Sequence, residues 1–272
     1  MAVETRAATV AEAQLRELVP TNEILREITR GGVAGLIAGI LVAGIGGRLV
    51  MRLAALLVPE SLGASTENGN RIGDITAGGT FTLILFIGLF VGLAGGSLWV
   101  SMRPWLPTSM GGRALVSIPI AFALGTKVLV DGANADFTVL GGSITVIASL
   151  VALVALFGPV IVLADGWLEA RLPHAVEGDH RVVSAYGAVT LVGLALGLMA
   201  IVPAYLGPED LRPAGLAVVL VGIATLVSWR SRVVGRPLPG WIPTVARFAI
   251  VGAVVAGSAV AVGEITEAIG RG

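Results

Sequence analysis

An all-α bundle of about seven transmembrane helices is the fold this sequence predicts, and three observations predict it. Charged residues make up only 13% of the chain and hydrophobic residues 55%, where soluble domains carry about 25% charge. The mean hydropathy is +0.90. The charges that remain are gathered between apolar runs, and those runs lack the polar face that a helix at a soluble surface needs. A helix satisfies every backbone group within its own segment, as a lipid environment demands.

In chain order, residues 1–30 form a cytoplasmic amphipathic segment. They hold Glu4, Glu12, Glu17, Glu23 and Glu27 and no basic stretch leading into a short apolar core, so no cleaved signal peptide is expected. Within it, TNEILREITR (21–30) puts Ile24, Leu25 and Ile28 on one helical face, which predicts a helix lying on the membrane surface and feeding the first span. Seven apolar segments follow, at roughly 32–57, 80–101, 114–130, 142–164, 183–205, 213–229 and 245–263. Each approaches the roughly 17–25 residues that a crossing requires.

Loop charges predict the orientation. With the N-terminus cytoplasmic, the inner set is Arg6, Arg16, Arg26, Arg30, Arg103, Arg113, Arg171, Arg181, Arg230, Arg232, Arg236 and Arg247, against Arg71, Arg212 and Arg271 outside. The outer loops carry the acids Glu60, Glu67, Asp74, Asp131, Asp136, Glu209, Asp210, Glu264 and Glu267. Basic loops stay inside, which predicts N-inside and C-outside in the plasma (inner) membrane of a bacterial cell. Trp99, Trp105, Trp167, Trp229 and Trp241 all fall at the same ends of their spans, where indole rings anchor at headgroup level.

One polar phrase occurs twice: DITAGGTFT (74–82) and DFTVLGGSIT (136–145), each just before a span. Aligned on Gly78-Gly79 and Gly141-Gly142, Thr80 faces Ser143 and Thr82 faces Thr145. Upstream, Gly31-Gly32 and Arg48 correspond to Gly111-Gly112 and Lys127. This predicts a tandem pair of two-helix repeats over 31–173, followed by a three-span unit over 174–272.

Ionisable residues at membrane depth are the first candidates for a site, because their burial there is costly. Counted from Gly31 at ~1.5 Å per residue, Arg48 lies about 25 Å along its helix, with Arg52 one turn further and Lys127 at a similar depth in span three. Asp74 and Asp136 open the repeated phrases, and Asn134 lies in the DGANAD loop. These residues, with Thr80 and Ser143, could form an outward-facing polar cup in which helix N-termini and cations hold an anion or small polar solute. The other reading is structural: helix caps at the Asp-x-Thr phrases and snorkelling cations near span ends. Both stand at this point.

Other classes recede. The absence of cysteine removes disulfides and thiolate chemistry, and a net charge of zero disfavours nucleic acid as a partner. His174 and His180, with Glu177, Asp179 and Asp165, fit no metal-ligand spacing. No nucleophile–base pair is visible. No catalytic residue, metal or cofactor is therefore expected, and the chain is read as a non-enzyme. Gly35, Gly39, Gly88, Gly92, Gly96, Gly193 and Gly197 form small-residue ladders that predict close helix packing, either within the bundle or in a homo-oligomer. Two functions remain: a small permease or channel-like protein, and a non-catalytic accessory subunit of a larger membrane complex.

Overall fold

In the computed structural model of the chain, the described residues are 19–64, 77–134, 136–174 and 178–271. They hold seven helices long and apolar enough to cross a membrane: α1 (Pro20–Leu57), α2 (Ala77–Trp105), α3 (Met110–Leu129), α4 (Ile144–Glu169), α5 (His180–Pro203, helical on to Leu206), α6 (Arg212–Val234) and α7 (Trp241–Gly270). These reproduce the seven predicted segments, extended by up to about a dozen residues where a polar helical end continues beyond the apolar run.

The largest extension is in α1. Residues 21–30 are not set apart on a surface: the helix begins at Pro20, whose missing N–H costs nothing in a first turn, and runs straight into the first span. Ile24, Arg26, Thr29 and Arg30 are buried in the bundle. The Arg26 guanidinium donates to the main-chain oxygens of Glu169 (2.9 Å) and Leu172 (3.0 and 3.1 Å). Those carbonyls sit at the end of α4, where a helix has no partners of its own to offer.

α1 and α2 pack backbone to backbone. Both contain π-helical stretches, Gly39–Gly46 and Leu83–Gly88, and these lie against one another. A Cβ added at Gly39 would stand 2.1 Å from the Gly88 oxygen, and one at Gly35 would stand 2.4 Å from the Gly92 oxygen. Gly35, Gly39, Gly88, Gly92 and Gly96 are thus consumed in an intrachain seam of the small-residue kind. Gly197 backs onto Ser97, while Gly193 faces open space.

The two Gly pairs have different backbones. Gly78 and Gly79 lie in the helical first turns of α2. Gly141 and Gly142 have φ of +57° and +61°, a conformation natural to glycine, and they separate the helical turn Asp136–Val139 from the start of α4. The break lets Phe137 and Leu140 tuck into a small core with Val50, Ala54, Val130, Val146 and Ile147. Upstream, Gly31-Gly32 is mid-helix, whereas Gly111-Gly112 is in the first turn of α3, capped by Ser109 Oγ accepting from the Gly112 N–H at 3.2 Å.

α3 packs along both α4 and α7, α6 pairs with α7, and α5 leans on α1 and α2. The main core joins Trp99, Met102, Trp105, Ile161, Tyr205, Val221 and Ile250. Trp99 and Trp105 are buried there, not displayed at a surface as headgroup anchors, whereas Trp167 and Trp241 are 51% and 66% exposed. Trp105 donates its indole N–H to Thr225 Oγ1 at 2.8 Å, and that hydroxyl donates to the Ser101 oxygen at 2.6 Å. A hydrogen-bonded indole is the stable form of a buried tryptophan.

Candidate functional site

Two clusters of ion-paired side chains stand toward opposite ends of the described bundle, with an apolar cavity between them. At the Arg-rich end, where α1 begins, Asp165 of α4 is 2% exposed. It accepts from Arg30 Nε of α1 at 2.9 Å and from Arg103 Nη1 of α2 at 3.1 Å. Arg30 also reaches Glu169 at 2.8 Å. Glu27 lies 3.8 Å from Arg103 and 2.9 Å from Arg232 of α6. One buried carboxylate thereby ties α1, α2 and α4, and Glu27 brings in α6. Buried charges persist only when paired and hydrogen-bonded in this way. The indole of Trp99 lies beside Asp165, although its N–H meets no acceptor in hydrogen-bonding geometry.

At the opposite, acidic end, Lys127 in the last turn of α3 pairs with Glu264 of α7. Its Nζ is 3.4 Å from Asp210 Oδ2 and 3.9 Å from Asp131 Oδ1. The second Glu264 oxygen accepts from the Gly132 N–H at 2.6 Å, so this carboxylate closes α3 and the turn after it onto α7. Lys127→Met is expected to cost about 1–3 kcal/mol, because Glu264 keeps its backbone donor but loses its counter-charge. Asp131→Asn, on a half-exposed partner, should change stability by less than about 0.5 kcal/mol. Thermal melting of the two purified variants in detergent checks the contrast.

Of the eight residues proposed for an outward cup, six have described side chains. Lys127 faces Glu264, Asp210 and Asp131, all three of them acids of the predicted outer loops. Arg48 is buried, with Nη1 3.8 Å from Met51 Sδ, and Arg52 is exposed. Asn134 Oδ1 accepts from the Asp136 N–H at 2.7 Å and so caps the short helical turn. Ser143 precedes α4 without a side-chain capping bond. Asp74 and the side chain of Thr80 lie outside the described residues.

Sequence reasoning missed Asp165, Arg30, Arg103 and Glu264 as partners. Arg30 and Arg103 were absorbed into the loop-charge pattern, and Asp165 into the His174 and His180 group that fits no metal-ligand spacing. The available signal was an acid at the close of a long apolar run, with Trp167 and Leu168 still to come before Arg171.

Between the clusters lies a cavity of about 320 Å³, lined by α1 to α5. α2 and α3 supply most of the wall, among them Phe90, Leu98, Trp99, Ile120, Ala121 and Val128, and these two helices scarcely touch each other. The charged residues of the two clusters do not line it, but their neighbours in the chain do. Ile161 lies on the wall one turn before Asp165, and Gly125 and Val128 flank Lys127. A second, more polar cleft of about 490 Å³ reaches Asp165 from the Arg-rich end, past Thr108, Arg113 and Glu169.

Compared with known proteins, the chain matches no family model, no curated protein and no solved structure. The described residues define a class: they are all-helical, and their seven long apolar helices are compatible with a multi-pass membrane protein.

Proposed function

We propose that this chain is a small permease-type protein of the bacterial inner membrane, whose solute space is the cavity between α2 and α3. The observation that carries the reading is the position of the Arg30–Asp165–Arg103 cluster, between that cavity and the polar cleft at the Arg-rich end. The Lys127–Glu264 pair stands correspondingly at the acidic end. A space near mid-bundle with an ionic closure on either side suits alternating access, in which one closure opens at a time. The Arg-rich end is proposed as cytoplasmic on the loop-charge rule, and α1 to α4 as diverged copies of one helical hairpin.

Because the chain has no cysteine, Ala121→Cys supplies a single reporter in the cavity wall. In sealed vesicles, a membrane-impermeant maleimide should label it slowly in the parent background. Glu264→Gln should speed labelling from the acidic side only, and Asp165→Asn from the Arg-rich side only. Labelling that neither substitution alters would sink the permease reading.

The accessory-subunit reading keeps one observation in its favour. α5 is the least buried span and turns Leu191, Leu194, Leu198 and Met199 outward, each more than half exposed. A stoichiometric partner that co-purifies from native membranes and shields this face would support it.

A further inference from the structure

We propose that the α2–α3 cavity holds the alkyl chain of a membrane lipid, admitted sideways from the bilayer through the gap between Phe90 and Val128. This deepens the permease reading and rests on it for the location of the site, while naming the class of molecule that enters.

Four observations converge. First, the wall is apolar, and its hydroxyls are already engaged: Ser117 donates to the Ala114 oxygen at 2.7 Å, and Tyr205 donates to the Leu124 oxygen. Apart from the Trp99 indole N–H, which lies beside Asp165, a polar solute would leave water and find few partners there, a loss that an alkyl chain does not suffer. Second, Arg30, Arg103 and Lys127 at the two ends are paired with carboxylates of their own clusters, and the lining residues include no cation to hold an anion. Third, the volume of about 320 Å³ is about twice the ~150 Å³ that accommodates benzene in an apolar protein cavity, which leaves room for a run of methylenes. Fourth, Phe90 and Val128 line the cavity yet are 40% and 48% exposed on the side of the bundle. Because α2 and α3 do not pack together, that opening faces the region where lipid chains lie, not the aqueous ends.

The geometry also says how the chain would be held. An alkyl tail in this space replaces an apolar void with dispersion contacts on every side, and it does so without breaking a hydrogen bond. The lipid headgroup need not enter.

The test is photo-crosslinking in liposomes with a phosphatidylcholine that carries a diazirine on one acyl chain, followed by peptide mapping. Labelling of peptides bearing Phe90, Ala121 and Val128 should saturate as the probe fraction rises. Labelling of the outer α5 face at Leu191, Leu194 and Leu198 should rise in proportion, as bulk lipid contact does. Ala94→Phe combined with Ala121→Trp fills the cavity and should lower the saturable labelling at least about tenfold, leaving the α5 labelling unchanged. The saturation curve is measured on the unsubstituted protein, so the test survives a variant that fails to fold.

Cavity peptides that label in proportion to probe, like the α5 face, overturn the proposal. If that happens while the Ala121→Cys reporter still responds to the end substitutions, the permease reading survives with a different solute. If labelling saturates but the reporter never responds, the lipid site stands and the permease reading falls.

Discussion

Asp165→Ala is expected to destabilise the bundle by about 3–5 kcal/mol, the range for removing one partner from a buried ionic cluster. Arg30 and Arg103 are 4% and 9% exposed, so neither can move its charge into water without unwinding part of α1 or α2. Glu169 remains for Arg30, but its side chain is 58% exposed, and Arg103 is left with Glu27 at 3.8 Å. The cost is that of two like charges held together without the carboxylate between them. Denaturant titration of the purified protein in detergent measures it, and a loss below about 1 kcal/mol would mean that water or Glu169 replaces the carboxylate. Arg30→Met, Asp165→Leu and Arg103→Met together should come out near neutral, because the desolvation cost leaves with the charges. A triple variant as unstable as Asp165→Ala would instead point to shape, not charge, as the property that matters.

The second large effect is at the α1–α2 seam. Gly39→Val should cost about 3 kcal/mol or more, at the upper end for overpacking, because its Cβ would meet the Gly88 oxygen at 2.1 Å and the Gly92 Cα at 2.5 Å. The obstacles are backbone atoms of a neighbouring helix, which cannot rotate away as a side chain would. Gly193→Val, where a Cβ meets nothing within 4 Å, should change stability by less than about 1 kcal/mol. The pair also separates two roles for the ladder. An intrachain seam makes the Gly39→Val loss independent of protein concentration, whereas a homo-oligomeric face would show as a changed dimer fraction with the monomer intact.

How much of this was legible beforehand differs from feature to feature. The seven apolar segments could be read directly, since each is a local run whose length and hydropathy need no partner. The glycine ladder of span two and the Gly35–Gly39 pair were also visible as close-packing surfaces, but their mutual registry was not. The repeated Gly-pair phrases misled at the backbone level. Identical dipeptides take helical φ in one place and left-handed φ in the other, because only the second lies where Phe137 and Leu140 turn inward. The polar clusters were the least legible. Lys127 stood out as a lone lysine in an apolar span, yet its carboxylate partner is 137 residues away, and those of Arg30 and Arg103 are 135 and 62 residues away.

By itself the sequence determined the material of this protein: helices, seven of them among the described residues long and apolar enough to span lipid, with most of the charge gathered between the apolar runs. Those properties follow from the energy of each segment against its solvent, a sum over neighbouring residues. Only the tertiary structure decided which arginines share Asp165, that Glu264 faces Lys127, and that α2 and α3 stand apart around an apolar space. Such choices depend on which helices lie side by side, and in lipid apolar faces are nearly interchangeable as partners. Side-chain packing and a few buried ion pairs select among them, and both act across distances along the chain that no local pattern records.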